Sequence, residues 1–173
     1  MTTFKRSLFP VLASLFLLVS FASAGESGFA GSWKIDATAS TAFDPWSLIL
    51  LDISVEGDAV TIQRTVSSGN RRSSQVHPLQ IGQTVKVPSK WWTGNRHIGA
   101  YMGGDKTETI SSSWLDNGKV LRVESHYILT TSQGDTPVRS YFEYRLSADG
   151  DELTVIELRS SRNKPVVQVF RRA

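Results

Sequence analysis

From residue 29 onward, hydrophobic and polar residues alternate along most of the chain. A period of two, with Val, Ile, Thr, Tyr and Phe in the alternating segments, is typical of β-strands that bury one face. Gly, Asp and Asn separate these segments, and no stretch shows the period of a helix. The pattern predicts an all-β protein of about ten strands. The predicted strands are Phe29–Ala37, Leu48–Glu56, Ala59–Val66, Ser73–Gln80, Gln83–Pro88, Lys106–Leu115, Val120–Thr130, Val138–Ser147, Glu152–Ser161 and Pro165–Arg172.

The connections predict how the strands are arranged. Asn117-Gly118 and Asp149-Gly150 are strong signals for two-residue hairpin turns, Gly57-Asp58 is a weaker one, and Gly82 marks a fourth break. In an antiparallel up-and-down meander these four turns lie at one end. The longer connections, Thr38–Ser47, Ser67–Arg72, Ser89–Asp105 and Thr131–Thr136, lie at the other. Closing the meander into a β-barrel removes exposed strand edges and gives a cup. This arrangement requires that Gly82 is a turn.

The first residues predict export. Lys5 and Arg6 precede an apolar run from Leu8 to Phe21, and Ala22-Ser23-Ala24 follows as a cleavage pattern. The run is too short to cross a bilayer comfortably, so a cleaved signal peptide is favoured over a retained membrane anchor. We therefore expect a signal peptide over 1–24, and a single domain over 25–173 in a secreted or periplasmic protein without a stable membrane span.

Composition excludes several classes of function. The chain has no cysteine, which rules out disulfides, thiol catalysis and a lipid-modified cysteine. Its net charge is +3, and Lys5 and Arg6 belong to the predicted signal peptide, so nothing indicates a nucleic-acid partner. His77, His97 and His126 lack the spacing of metal ligands. No nucleophile motif or phosphate-binding loop is present. We predict no metal, cofactor or catalytic residues, and the sequence favours binding over catalysis.

A short motif on the first predicted strand is similar to one in a known superfamily. Gly31-Ser32-Trp33 resembles the Gly-x-Trp motif of lipocalins and fatty-acid-binding-type barrels, which together form the calycin superfamily. The hairpins around Asn117-Gly118 and Asp149-Gly150 look like those of bacterial lipocalin-like domains. The resemblance implies a barrel whose Trp lies near the closed end under an Arg of the last strand. Turn pairing favours Arg172 over Arg171 for this role.

Hairpin turns also predict which side chains share a face, because residues opposite each other across a two-residue turn point the same way. The pairs are Leu51 with Arg64, Glu108 with Tyr127, Phe142 with Glu157, and Ser140 with Arg159. Each inward face is apolar near the tight turns and polar toward the loops. Arg64, Glu157 and Arg159 therefore either orient a ligand inside the cup, with Tyr127 lower on the wall, or leave the barrel for water at its rim.

The segment from Lys90 to Gly104 is unusually long for a connection and contains Trp91, Trp92 and Tyr101. Long loops are often functional. The aromatic residues either form a lid or an aromatic contact surface over the mouth of the barrel, or one Trp plugs the barrel end.

Two functions remain open. The first is a carrier for a small apolar or amphipathic ligand, whose acidic head would neutralise the positive charge left when Glu157 lies between two Arg. The second is an interaction module with a filled barrel, which binds a protein or glycan through the Trp-rich loop. A cavity of roughly several hundred Å³ favours the carrier. The oligomeric state is not indicated.

Overall fold

The computed structural model describes residues 28–41, 46–89 and 101–173, and within these ranges the chain forms antiparallel strands and no helix. The described part accordingly holds no helix long and apolar enough to cross a membrane. The strands are β1 (Gly31–Asp36), β2 (Leu48–Glu56), β3 (Ala59–Ser68), β4 (Arg71–Gln80), β5 (Thr84–Pro88), β6 (Tyr101–Met102), β7 (Thr107–Leu115), β8 (Val120–Thr131), β9 (Gly134–Leu146), β10 (Glu152–Arg159) and β11 (Val166–Arg172).

Ten strands follow one continuous hydrogen-bonded path, in the order β4-β3-β2-β1-β11-β10-β9-β8-β7-β5. The remaining short strand, β6, pairs with β8. Apart from the step between β1 and β11 and the step between β5 and β7, neighbours on this path are also neighbours in sequence. The predicted all-β, up-and-down meander is confirmed, and pairing of the first strand with the last bends it into a nearly closed barrel.

The turn at Gly82 is confirmed, and with it the assignment of the two ends of the barrel. Gly82 has a φ of +74°, a conformation that favours glycine, and it separates β4 from β5. It therefore lies at the same end as the turns around Gly57, Gly118 and Gly150. We call this the closed end, and the opposite end, where β1 leads to β2, the loop end.

Two connections at the loop end are tighter than the sequence indicated. Ser68 pairs with Arg71, so only two residues connect β3 to β4. Thr131 pairs with Gly134, and β9 begins before Pro137 rather than after it. In both places consecutive polar residues interrupt the alternation of hydrophobic and polar positions, although the backbone hydrogen bonds between the strands continue through them. The predicted loops Ser67–Arg72 and Thr131–Thr136 are therefore wrong in length, although both connections lie at the predicted end.

Every side-chain pairing used in the sequence analysis is present in the sheet. Leu51 lies opposite Arg64, Glu108 opposite Tyr127, Phe142 opposite Glu157, and Ser140 opposite Arg159. The predicted division of each inward face into an apolar and a polar part follows from this register.

The closed half of the barrel is filled by a hydrophobic core. Its fully buried members include Phe29, Trp33, Leu51, Leu121, Leu153 and Phe170.

 These side chains pack against one another as in an ordinary protein interior. The polar residues of the wall lie above them, toward the loop end.

Candidate functional site

The closed end is covered by Arg172. Its guanidinium Cζ lies 4.4 Å from the centre of the Trp33 ring, and the Trp33 side chain is completely buried. The same guanidinium donates hydrogen bonds to the carbonyl oxygens of Gly28, Ala30 and Gly150 at 2.7, 3.1 and 2.9 Å. The predicted contact between Trp33 and Arg172 is thus present. It ties β1, β11 and the β9–β10 turn together, and it lies away from the cavity.

A cavity occupies the upper half of the barrel, above the hydrophobic core. The volume within it that the centre of a water molecule can occupy is about 100 Å³. Its wall combines apolar and polar side chains from six strands and the residue after β5. The lining residues are Ile62, Arg64, Gln75, His77, Leu79, Ser89, Glu108, Ile110, Val123, Ser125, Tyr127, Ser140, Phe142, Tyr144, Glu157 and Arg159.

The basic side of the cavity is formed by Arg64 of β3 and by Glu157 and Arg159 of β10. Arg159 Nη2 donates to Glu157 Oε1, and their side chains are only 4% and 15% exposed. Arg64 Nη1 donates to Gln168 Oε1 on β11 at 3.2 Å. All three charged groups therefore lie inside the barrel, not in water at its rim.

Electrostatics leave this side of the cavity positive. Burial lowers the pKa of Arg64, while the charge of Glu157 opposes that effect and the charge of Arg159 adds to it. Because a guanidinium keeps its proton even in such surroundings, two cations share one carboxylate. Buried charges are stable only when they are paired, so this wall favours an additional anion.

A second side of the cavity is an acidic network that the sequence analysis did not assign to the site. Glu108 of β7 accepts hydrogen bonds from Gln75 Nε2 at 2.9 Å and from Ser125 Oγ at 2.6 Å. His77 Nε2 lies 3.0 Å from the same carboxylate. Burial raises the pKa of Glu108, but hydrogen bonds from His77, Ser125 and Ser89, with the charge of His77, outweigh burial and hold the pKa below its ordinary value.

This network also spans the break in the barrel. Strands β4 and β5 are the two ends of the hydrogen-bonded path, and Gln75 and His77 of β4 reach across to Glu108 of β7. Side-chain bonds therefore join the barrel where the backbone ladder does not. The carboxylate is saturated by these partners, so its role is to hold the wall together.

Part of the network could have been found from the sequence. The Asn117-Gly118 turn places Glu108 opposite Tyr127, and hence inside. The positions of Gln75 and His77 depend instead on the turn between β3 and β4, where Gly69-Asn70 is flanked by polar residues and gives no clear register.

Tyr127 links the two sides of the cavity. Its hydroxyl lies 3.0 Å from Ser140 Oγ, and burial raises the pKa of Tyr127 to about 12. Burial likewise raises the pKa of Tyr144, deeper in the barrel, to about 12. Both phenols are neutral at physiological pH and can donate a hydrogen bond.

The predicted aromatic lid is only partly within the described residues. Tyr101 pairs with Thr130 at the end of β8, and its side chain is 70% exposed. It does not line the cavity. Trp91 and Trp92 lie outside the described residues, so their predicted role stays a prediction.

Histidines and acidic residues do not gather into a metal site in the part of the chain that the structure describes. His126 lies on the outer face of β8, and its Nε2 is 2.8 Å from Glu124 Oε1.

Comparisons with known proteins identify the fold. Neither the models of protein families nor the curated proteins include a match. Solved structures do match. A Schistosoma mansoni fatty acid binding protein in complex with arachidonic acid is 8% identical, with a TM-score of 0.53, over 86% of this chain and 98% of its own. Human cellular retinol-binding protein IV is 13% identical, with a TM-score of 0.52, over 83% of this chain and 97% of its own. The chain has the calycin fold.

An abundant heat soluble protein from Ramazzottius varieornatus has the same fold. It is 12% identical to this chain, with a TM-score of 0.55, over 85% of this chain and 96% of its own. Identities this low establish the architecture of the calycin barrel and leave the function to the residues of the cavity.

Proposed function

We propose that this calycin-fold protein binds a small amphipathic ligand inside its barrel, with an acidic head against Arg64 and Arg159. The observation that carries the proposal is the ratio of two buried guanidinium groups to one carboxylate on that wall. A ligand carboxylate or similar anion would restore the balance, and bidentate Arg–carboxylate bonds are among the stronger hydrogen bonds in proteins.

The lower wall suits the apolar part of such a ligand. Ile62, Leu79, Ile110, Val123 and Phe142 face the cavity below or beside the charged groups. A pocket lined mainly by apolar side chains, with a few oriented polar groups, is the usual form of a small-molecule site.

The fold comparison also supports binding of a small molecule inside the barrel. The Schistosoma mansoni protein with this fold is a fatty acid binding protein that holds arachidonic acid, and the human protein is named for retinol binding. From these proteins we transfer to this chain only the general mode of binding, in which a ligand is held inside the barrel.

Calorimetric titration with a matched acid and alcohol, such as benzoate and benzyl alcohol, tests the proposal. The acid should bind at least about ten-fold more tightly than the alcohol, because a hydrogen bond to a charged group contributes about 1.5–3 kcal/mol. Arg64→Gln and Arg159→Gln should remove most of that preference. Glu157→Gln should strengthen acid binding, since it frees both guanidinium groups from their shared carboxylate.

Arg145→Gln is the matched control, because Arg145 lies on the outer face of β9 and pairs with Glu143. It should bind the acid as the wild type does. Equal affinity for acid and alcohol in the wild type would overturn the role of the two arginines. If neither compound binds, the interaction module with a filled barrel becomes the better account.

We also propose that the protein is exported, on the strength of the signal-like sequence that ends at Ala24. Intact-mass analysis of protein recovered from the periplasm or medium should give a chain that begins at Gly25. Retention of Met1 in that fraction would contradict cleavage.

A further inference from the structure

The size of the cavity restricts what the ligand can be. The space open to the centres of water molecules is about 100 Å³. For comparison, an engineered apolar cavity of roughly 150 Å³ holds one benzene. This space is therefore suited to a group about the size of a single ring.

The cavity cannot deepen toward the closed end without disrupting the core. Trp33, Leu51, Leu121 and Phe170 fill that half, and each has no exposed surface. Protein interiors are close-packed, so a chain that entered this region would have to displace large side chains.

The side walls also limit an extended chain. Gln75, Ser125 and Ser140 are buried polar residues of the wall, and Gln168 lies buried behind Arg64 as its hydrogen-bond partner. The hydroxyl of Ser125 donates to Glu108, and the amide of Gln168 accepts from Arg64. Methylene groups packed against these polar residues would add little to the binding free energy, because they would bury polar groups without giving them hydrogen-bond partners.

What remains is a short apolar part of the wall below or beside the charged groups, formed by Ile62, Leu79, Ile110, Val123 and Phe142. Ile62 lies two residues from Arg64 on β3, which is about 7 Å along the strand. That is about the length of a carboxylate joined to one ring or to a short branched chain.

We infer that the ligand is a compact organic acid, with a single ring or a short chain as its apolar part, and not a long-chain fatty acid. This inference rests on the proposed function, since it assumes that the acid binds at Arg64 and Arg159.

Titration with acids of increasing length tests the inference. Suitable probes are butanoate, hexanoate, benzoate, decanoate and tetradecanoate. A chain that is fully accommodated should gain about four-fold in affinity for each buried methylene. We expect that gain only up to hexanoate, benzoate as the tightest or equal tightest probe, and no further increase for decanoate and tetradecanoate.

A cavity variant makes the test specific. Phe142→Ala should enlarge the cavity and move the optimum toward decanoate, and Phe142→Leu, which perturbs folding less, should move it in the same direction by a smaller amount. Tyr141→Ala is the control, because Tyr141 precedes Phe142 on β9 but stacks against Arg122 on the outside. It should leave the length profile unchanged.

The outcomes separate the two claims. Affinity that rises through tetradecanoate in the wild type would overturn the compact ligand and leave the acid-binding function intact. Failure of every acid to bind better than its matched alcohol would overturn the proposed function, and the compact ligand with it.

Discussion

Arg172 stacks on the indole of Trp33, with its Cζ 4.4 Å from the ring centre, while the indole Nε1 donates to the carbonyl oxygen of Phe29 at 3.0 Å. The last strand thereby closes over the first. Because this contact lies at the closed end, below the core, its contribution is to the stability of the barrel and not to the ligand site.

Truncation of Trp33 should be far more costly than truncation of Arg172. Trp33→Ala removes a fully buried ring and should lower the free energy of unfolding by about 3–5 kcal/mol. Arg172→Ala removes the cation–π contact at the surface and should cost about 0.5–1 kcal/mol, with some addition from the lost hydrogen bonds. Denaturant unfolding followed by circular dichroism measures both. Equal losses, or a change in acid affinity in folded Arg172→Ala, would contradict this division of roles.

Gly31 should be intolerant of a side chain. Its φ is +129°, and a Cβ atom there would lie 2.9 Å from Arg172 Nη1. Gly31→Ala should therefore destabilise the protein by about 1–3 kcal/mol through backbone strain and the clash. In the double variant Gly31→Ala/Arg172→Ala, the clash is absent and the backbone strain remains. The loss of unfolding free energy in the double variant should therefore be smaller than the sum of the losses in the two single variants. Strict additivity would show that the guanidinium does not restrict this position.

The tight turns and the up-and-down order of the strands were predictable because short-range signals determine them. Asn117-Gly118 and Asp149-Gly150 set the register of two hairpins, and the second register put Glu157 and Arg159 on the inward face, either inside the cup or at its rim. The structure decides for the inside. The ends of β3, β4, β8 and β9 were not predictable, because polar residues such as Ser67 and Ser68 hide the alternation where backbone bonds alone extend the sheet.

The site was predictable only on one side. Arg64 and Arg159 follow from the hairpin turns at Gly57-Asp58 and Asp149-Gly150. The contact of His77 with Glu108 instead joins strands that share no backbone pairing. Such a contact depends on how the barrel closes, which no local pattern reports. The size of the cavity also depends on the packing of many side chains and could not be derived from their order.

Stability should depend on pH through Glu108. The pKa of this carboxyl in the folded protein lies below the ordinary value of 4.5. Its ionised form therefore stabilises the fold above that value, and the stabilisation is lost as the pH falls through the lower, folded-state pKa. Glu108→Gln should be less stable than the wild type at pH 7, by about 1–3 kcal/mol, and the difference should narrow in acid.

Unfolding curves at several pH values between neutral and acid measure this difference. Glu56→Gln, at an exposed position before the Gly57 turn, controls for the general effect of removing one negative charge. A gap between wild type and Glu108→Gln that stays constant down to strong acid would contradict the stabilising role of the ionised carboxylate.

The most direct test of the central claim is to map where an acid binds by NMR. Titration of labelled protein with benzoate should shift the resonances of Arg64, Tyr127 and Arg159, which line the cavity. Resonances of Val76 and Leu158, which are exposed on the outer surface, should not move. Shifts confined to the cavity residues are the predicted result. Shifts confined to the outer surface would contradict ligand binding inside the barrel.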